Sequence, residues 1–302
     1  MNEHINVFDK MNISVKRMGI NGEGIGYYNK LAIFIDGALP FEELEVVITH
    51  VFDNRAIAKI ERIIKASPDR TVPFCPIYES CGGCQTQHLD YAKSLFEKRD
   101  VLIKSFDRYI KPKVNENLIK DTIGADEPKN YRNKASLPVQ KIKGKNYVGM
   151  YARASNQFIP LDSCPIQNEK INDIMKSIIK LMNKYEMDGI DTRTRRGYVR
   201  SLIVRVTSDQ KQAQVSFIMA KKSDRLDKLA MELVELEPSI VSIFEVINSD
   251  MKKPGFFTDQ MRLIYGNEMI KENLSDFKFL LKPEAFFQLN TPQANKFYLE
   301  MK

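Results

Sequence analysis

The chain has 302 residues, enough for about two domains at the usual size of roughly 100–200 residues each. Hydrophobic residues make up 43% of the sequence, so a sizeable core is expected. No run of about 18 apolar residues occurs, which excludes a membrane-spanning helix. Residues 1–10 lack the apolar segment of a secretion signal. The expectation is therefore a cytoplasmic protein with no membrane partner.

The net charge of +7 is unevenly placed along the chain. Residues 129–205 carry 16 Lys or Arg and 6 Asp or Glu, a surplus of 10, so the rest of the chain is close to −3. A basic surplus confined to one stretch is typical of a face that binds a polyanion such as nucleic acid. A solvated, lysine-rich surface is the alternative that charge alone leaves open.

Residues 5–66 predict a small OB-like β-barrel. Short apolar or alternating runs with β-branched residues are separated there by Gly and Pro turns, which is the pattern of such a barrel. The expected strands are Ile13–Val15, Leu31–Ile35, Leu44–Val51 and Ala56–Ile64. A linker that contains proline, from Ala66 to Pro73, ends this unit.

The mixed order of elements over residues 67–280 predicts an α+β domain with an antiparallel sheet. Asp90 is the expected N-cap of a helix that runs to about Ile110, and a second amphipathic helix is expected from Ile171 to Tyr185. The expected strands are Tyr131–Val139, Tyr147–Tyr151, Gln157–Leu161, Val199–Val206, Ala213–Ile218 and Ile240–Ile247. Thr291-Pro292 predicts a helix start. Because no stop signal precedes Lys302, we interpret the chain as truncated.

The four cysteines are the most informative feature of the sequence. Three lie in Cys75-x5-Cys81-x2-Cys84, and the fourth, Cys164, precedes Pro165. Four thiolates can complete a tetrahedral zinc site or an iron–sulfur cluster, and the three-plus-one spacing favours the cluster. Zinc and unrelated buried cysteines stay open as alternatives, whereas disulfides are not expected in a reducing cytoplasm. We expect His88 to form a hydrogen bond at the helix start rather than to bind a metal.

Several motifs, in chain order, resemble those of the 23S ribosomal RNA uracil-5-methyltransferases that carry an N-terminal TRAM domain. The resemblance lies in Gly22-Glu-Gly-Ile-Gly26 with Ile33–Pro40, in the loop from Cys75 to His88, in Asn130-Tyr-Arg-Asn-Lys-Ala135, in Gly149–Ile166, and in Phe286-Phe-Gln-Leu-Asn290. The glycines of residues 22–26 lack the spacing and the following helix of a nucleotide-binding loop, so a barrel turn is expected there.

This resemblance implies methyl transfer from S-adenosylmethionine to C5 of a uridine in 23S ribosomal RNA. In the family, a cysteine thiolate adds to C6, C5 attacks the methyl group, and a base then removes the C5 proton. The resemblance also implies a 4Fe-4S cluster on Cys75, Cys81, Cys84 and Cys164, and a contact between Gln288 and S-adenosylmethionine. With all four cysteines assigned to the cluster, none remains as the nucleophile.

The same resemblance implies that residues 281–302 are only the start of an α/β Rossmann-like methyltransferase domain. It also makes the helix over residues 90–110 a candidate to pack on that domain. The chain is thus expected to be a truncated, inactive RNA-binding portion of an enzyme. A non-catalytic RNA-binding module that uses the TRAM barrel and the cluster is the alternative. A TRAM-containing radical enzyme that modifies transfer RNA would need Cys-x3-Cys-x2-Cys, which is absent.

Basic residues in two groups are the predicted RNA contacts. Arg132 and Lys134 form the first group, and the second crowds a predicted loop beside Tyr198. The second group consists of Arg193, Arg195, Arg196 and Arg200. Arginine contacts phosphates and stacks on unpaired bases, although a solvated basic turn is the alternative for the second group. No obligate protein partner is expected.

Overall fold

The computed structural model describes residues 5–191, 194, 196–250 and 255–301. The chain divides into two compact units, Met1–Gly124 and Ala125–Lys302. None of the described helices is both long and apolar enough to cross a membrane.

The first unit opens with a closed barrel of five strands in the order β1-β2-β3-β5-β4. The strands are β1 (Lys10–Met18), β2 (Gly24–Tyr28), β3 (Leu31–Ile35), β4 (Glu43–Phe52) and β5 (Arg55–Lys65). The four runs expected as strands lie within β1, β3, β4 and β5. Their alternating pattern fills the barrel with aliphatic side chains, which include Ile13, Ile33, Ile35, Leu44, Val46, Ile48 and Ala58.

Two glycines of residues 22–26 lie inside β2, where the barrel backbone is crowded. A Cβ on Gly26 would lie 2.2 Å from Cγ2 of Ile13, and one on Gly24 would lie 2.6 Å from Cβ of Ala38. Only glycine permits this approach of β2 to its neighbours. The glycines therefore serve barrel packing, as their spacing indicated, and not nucleotide binding.

A buried ion pair ties the chain after the barrel to the barrel itself. Glu42 is fully buried and accepts hydrogen bonds from Nε and Nη2 of Arg70 at 2.6 and 2.8 Å. Burial acts to raise the pKa of Glu42, but the hydrogen bonds from Arg70 and from the Leu39 N–H bring it below its usual value. The helix α1 (Tyr91–Tyr109) follows, and Asp90 is confirmed as its N-cap because its side chain accepts the N–H of Lys93.

The second unit contains a sheet of seven strands in the order β12-β11-β10-β9-β6-β7-β8 and a separate pair, β13-β14. The strands are β6 (Lys134–Ile142), β7 (Lys145–Tyr151), β8 (Phe158–Pro160), β9 (Val199–Val206), β10 (Ala213–Met219), β11 (Ile240–Ile247), β12 (Met261–Gly266), β13 (Ile270–Leu274) and β14 (Phe277–Leu281). The helices are α2 (Glu169–Lys184), α3 (Arg225–Leu236) and α4 (Thr291–Glu300).

The predicted antiparallel sheet is wrong in one respect, because β10 and β11 pair in parallel. The reason is α3, which lies between these strands in the sequence and forms a crossover connection. Its buried face consists of apolar residues at helical spacing: Leu226, Leu229, Ala230 and Leu233. The sequence therefore carried a signal for this helix that the prediction missed.

Residues 281–301 do not form a separate segment that merely begins another domain. They belong to the second unit, where the side chain of Asn133 and that of Arg205 both hydrogen-bond to their backbone. These polar contacts join the segment to β6 and β9.

Candidate functional site

Two of the motifs that the sequence singled out lie side by side in the second unit. The N–H of Asn130 donates to the carbonyl of Pro165, and the N–H of Arg132 to that of Ile166, both at 2.9 Å. The carbonyl of Arg132 in turn accepts the N–H of Asn168 at 2.9 Å. Residues 130–132 thus run along the segment that follows Cys164.

Asn133 brings the third motif to the same place. Its Nδ2 donates to the backbone carbonyl of Gln288 and to Oγ1 of Thr291, each at 2.8 Å. Its backbone N–H donates to the carbonyl of Leu289 at 3.0 Å. The side chain of Asn290 then caps α4 by accepting the N–H of Gln293. The backbone of Gln288 is thus held by Asn133. Its exposed side chain is accessible to a ligand.

Lys134 lies directly opposite Arg205 on the neighbouring strand. Like charges in such a cross-strand pair repel each other. Burial, and then the charge of Arg205, lower the pKa of Lys134 to about 8. Its Nζ lies 3.4 Å from the carbonyl of Pro283 and 5.8 Å from the ring centroid of Phe257. Lys134 is therefore a cation held in a partly desolvated place, beside the segment that carries Gln288.

Arg205 is only 3% exposed, and its Nη2 donates to the carbonyl of Ala285. Burial lowers its pKa to about 10, although the carboxylates of Glu272 and Glu284 act in the opposite direction. Three buried polar atoms lack a hydrogen-bond partner among the described residues: Nη1 of Arg205, Nε of Arg132 and Oε1 of Gln167. Such atoms indicate a contact with water or a ligand.

The sequence-based prediction gave no role to Asn133 or Arg205. Asn133 lies within the quoted motif of residues 130–135, and Arg205 was counted only as a basic charge. A buried arginine cannot be distinguished from a surface one by composition, because strand register alone places it beside Lys134.

The second group of predicted RNA contacts lies elsewhere on the sheet. Arg196 is exposed, whereas Nη1 of Arg200 donates to the backbone carbonyl and to Oδ1 of Asn248 at 2.7 and 2.6 Å. Arg200 lies five residues before Arg205 along β9, about 17 Å at the usual rise per residue. The two groups therefore do not form one patch. Arg193 and Arg195 lie outside the described residues.

The cysteine loop of the first unit is a series of turns closed by side chains. The N–H of Cys81 donates to the carbonyl of Ile77 at 2.9 Å, and the N–H of Cys75 donates to Oε1 of Gln87 at 3.2 Å. The N–H of Gly83 donates to Sγ of Cys81 at 3.4 Å.

His88 contacts this loop through the side chain of Tyr78. It is 3% exposed, and its Nδ1 lies 2.6 Å from the hydroxyl of Tyr78, which also donates to the carbonyl of Gln85. Burial lowers the pKa of His88 to about 4 and raises that of Tyr78 to about 12. The expected hydrogen bond of His88 at the helix start is wrong, because Asp90 performs that role.

Cys164 belongs to the second unit, where Asn172 accepts its N–H and donates to its carbonyl. None of the four cysteines forms a disulfide, and all are partly exposed. Their thiols suit iron or zinc as donors. However, no three His, Cys, Asp or Glu side chains in the described part of the chain are grouped to hold a metal ion. The donor chemistry of the four thiols fits a cluster.

Comparisons with known proteins identify the relatives of this chain. No protein-family model matches it. A protein of Enterococcus faecalis named an uncharacterized RNA methyltransferase is 39% identical over 293 residues, which cover 96% of this chain and 64% of the relative. One of the same name from Bacillus anthracis is 36% identical and covers 96% and 63%, respectively. This chain is a homologue of proteins named RNA methyltransferases. The predicted resemblance to RNA methyltransferases is confirmed, and the chain spans about 64% of the length of these relatives.

A solved structure shares the fold. It is the Pyrococcus abyssi tRNA (uracil-54, C5)-methyltransferase in complex with S-adenosyl-L-homocysteine, with a TM-score of 0.69 and 18% identity. The match covers 96% of this chain and 64% of that chain. Because the match runs through nearly all of this chain, the predicted fold class is wrong in reserving only residues 281–302 for methyltransferase structure.

Proposed function

We propose that this chain is the RNA-binding part of an S-adenosylmethionine-dependent methyltransferase that acts on C5 of a uridine in 23S ribosomal RNA. The observation that carries the proposal is the double hydrogen bond of Asn133, which joins two distant motifs, residues 130–135 and 286–290, at one place. Homologues named RNA methyltransferases over 96% of the chain support it. The choice of ribosomal over transfer RNA rests on the TRAM-like barrel and the cysteine spacing.

In this proposal, the residues around Asn133 bind and orient the substrates. Lys134 and Arg132 contact RNA phosphates, since both carry positive charge beside a backbone that other residues hold in place. Gln288 contacts S-adenosylmethionine, which supplies the methyl group when it is bound. Because Asn133 holds the backbone carbonyls of Gln288 and Leu289, the position of Gln288 is set before the cofactor arrives.

The second group of arginines, which consists of Arg193, Arg195, Arg196 and Arg200, is proposed as a second RNA contact. Of the two that the structure describes, Arg200 is held by Asn248, whereas Arg196 is exposed and therefore accessible to an RNA strand.

The salt dependence of RNA binding tests this proposal. Replacing Arg195 and Arg196 together with Ala should weaken binding to 23S ribosomal RNA fragments and lower the slope of log affinity against log salt by about 1.4. Fluorescence anisotropy at several salt concentrations measures both quantities. Lys176→Ala with Lys180→Ala is the matched control, because it removes two exposed charges from α2 in the same unit.

The assignment of Arg195 and Arg196 to RNA binding would be contradicted if the slope of log affinity against log salt were unchanged in the arginine variant. It would also be contradicted if the slope fell equally in the lysine control. Preference of the unaltered chain for transfer RNA over ribosomal RNA fragments would contradict the choice of substrate. Absence of any RNA binding would overturn the proposed function as a whole.

We also propose that Cys75, Cys81, Cys84 and Cys164 are the ligands of a 4Fe-4S cluster with a structural role. The support is the spacing of the thiols, their partial exposure, and the N–H of Gly83 directed at Cys81. No step of the proposed methyl transfer passes through this group.

A further inference from the structure

The cysteine loop, residues 72–87, begins and ends at a closed neck. The N–H of Thr71 donates to the carbonyl of His88 at 2.8 Å, which joins the two ends of the loop. The ion pair between Arg70 and the fully buried Glu42 ties this neck to the barrel. His88 therefore lies at the base of the loop, in backbone that is held in place.

The side chain of Tyr78 connects the two halves of the loop. Its N–H donates to the carbonyl of Cys75 at 3.1 Å. Its hydroxyl donates to the carbonyl of Gln85 at 2.7 Å, and Gln85 directly follows Cys84. The same hydroxyl lies 2.6 Å from Nδ1 of His88. Tyr78 thus joins the backbone at the first cysteine to the backbone beside the third, and both to the base of the loop.

The number of protons in this contact fixes the tautomer of His88. A tyrosine hydroxyl has one proton, and a carbonyl can only accept. Because Tyr78 donates its proton to Gln85, Nδ1 of His88 is the donor in the second hydrogen bond. Nε2 of the neutral ring is then an acceptor, and it is buried without a hydrogen-bond partner among the described residues. Within the part of the chain that the structure describes, Tyr78 is therefore the polar contact that orients this ring.

The turn between β1 and β2 of the barrel contacts the loop beside Gln85. Gly22 has a φ of +85°, and a Cβ there would lie 2.8 Å from Cγ2 of Thr86 and 3.4 Å from Cβ of Gln85. Only glycine permits both this backbone conformation and this close approach. The carbonyl that Tyr78 bonds thus belongs to a residue that is packed against the barrel.

We propose that Tyr78 and His88 are positioning residues for a metal site on the thiols of Cys75, Cys81 and Cys84. Their hydrogen bonds order the loop before a metal binds, so less conformational freedom is lost on binding. Groups that hold the ligands of a metal in place raise its affinity by about 10–100-fold. The inference rests on the proposal that these thiols bind a metal, but it does not depend on whether that metal is iron or zinc.

Binding of Co²⁺ to the full 302-residue chain tests the inference. Thiolates are good ligands for such metals, and a thiolate bound to Co²⁺ gives a charge-transfer absorption that reports both affinity and the number of bound thiolates. Tyr78→Phe removes only the hydroxyl and should weaken Co²⁺ binding about tenfold. Tyr109→Phe is the matched control, because it removes an exposed tyrosine hydroxyl from the same unit. It should bind Co²⁺ as the unaltered chain does.

Two variants of His88 separate positioning from packing. His88→Leu removes the donor and should weaken Co²⁺ binding as Tyr78→Phe does. His88→Asn places an amide N–H near the position of Nδ1, so it should recover part of the affinity. A role in packing alone would favour leucine over asparagine at this buried position. Circular dichroism establishes that each variant is folded, and the comparison of Tyr78→Phe with Tyr109→Phe decides the question even if a variant of His88 unfolds.

Three results would overturn the proposal: equal Co²⁺ affinity in Tyr78→Phe and the unaltered chain, an equal loss in Tyr109→Phe, or tighter binding by His88→Leu than by His88→Asn. An unaltered chain that gives no charge-transfer absorption with Co²⁺ would overturn both this proposal and the metal site. Weaker Co²⁺ binding in Tyr78→Phe, in a chain that takes up zinc but no iron, would support the positioning role and contradict only the cluster. The two failures are therefore distinguishable.

Discussion

Lys134 is the residue whose surroundings most clearly alter its chemistry. Its pKa falls from the ordinary 10.5 to about 8, because burial and the adjacent charge of Arg205 disfavour the protonated amine. A lysine that contacts a phosphate must be protonated. In the free protein, the charge is therefore present below about pH 8 and lost above it.

We expect the RNA affinity of the chain to fall as the pH rises from 7 to 9. Binding to a phosphate would restore the proton, so association in this range should take up protons. Anisotropy titrations with a 23S ribosomal RNA fragment at a series of pH values measure the effect. Lys134→Met should bind more weakly at pH 7 and should show a flatter profile. A wild-type profile as flat as that of the variant would remove Lys134 from the RNA site.

Titration of Lys134 does not destabilise the fold over this range. The pKa of Lys134 is lower in the folded chain than in the unfolded chain, so the unfolded chain binds more protons at this residue between about pH 8 and 10.5. The contribution of Lys134 to stability therefore increases with pH across that window. Circular dichroism at pH 7 and pH 9 establishes that the chain is folded at both, so that weaker binding at pH 9 is separated from unfolding.

Sequence reasoning reached some residues of this site and not others. Arg132, Lys134 and Gln288 were found through their motifs, whereas Arg205 became visible only through the pairing of β6 with β9. His88 shows the converse error. Its place before a helix indicated a hydrogen bond at the helix start, but its buried ring bonds to Tyr78 instead, and a contact of that kind has no local signal.

At the scale of elements, a single side chain joins β6 to the start of α4. Asn133 is 8% exposed and donates to Gln288 and Thr291. Asn133→Ala would leave a partly buried carbonyl and a buried hydroxyl with one partner fewer, at a cost of about 1–3 kcal/mol. We expect faster amide hydrogen exchange in α4, together with weaker binding of S-adenosylmethionine through Gln288.

Hydrogen exchange read by mass spectrometry tests this expectation, with calorimetry for the cofactor. Asn156→Ala is the control, because Asn156 is an exposed residue of the same unit. Unchanged exchange in α4 would mean that Asn133 does not hold this segment. Faster exchange with unchanged cofactor binding would separate Asn133 from the role proposed for Gln288.

Elements with a long and regular spacing of apolar residues were predictable from the sequence. The apolar positions expected for α2 are buried from Ile171 to Met182, and β3 and β9 have the expected bounds. The direction of β11 was not predictable once α3 was missed, because a crossover helix decides parallel pairing. The strands β12, β13 and β14 were also missed. The last of these is largely exposed, so it lacks the alternation that marks a half-buried strand.

At the scale of the whole molecule, the question is whether the four cysteines bind an iron–sulfur cluster or whether one of them is a catalytic nucleophile. If all of them bind a cluster, anaerobic reconstitution should give about four irons and four sulfides per chain. Replacing any one of the cysteines with Ala should lower both contents, whereas Ser80→Ala in the same loop should leave them unchanged. Zinc without iron, or normal iron content in every cysteine variant, would contradict the cluster.

The same count of thiols has a consequence for catalysis. Addition to C6 of uridine needs a thiolate that is not bound to metal, and the sequence has only four cysteines. We therefore predict that the purified 302-residue chain, with its cluster in place, transfers no methyl group from S-adenosylmethionine to a 23S ribosomal RNA fragment. A radiolabelled methyl group, with nucleoside analysis for 5-methyluridine, gives the measurement.

Detectable 5-methyluridine would overturn the prediction, and the cysteine variants would then identify the cause. If a single variant abolished transfer and iron were absent from the unaltered chain, that cysteine would be the nucleophile rather than a ligand. If transfer persisted in all four variants, the thiol mechanism itself would not apply to this chain. Iron content and methyl transfer measured on the same preparation therefore separate the two assignments of Cys75, Cys81, Cys84 and Cys164, since one thiol cannot serve both roles in one molecule.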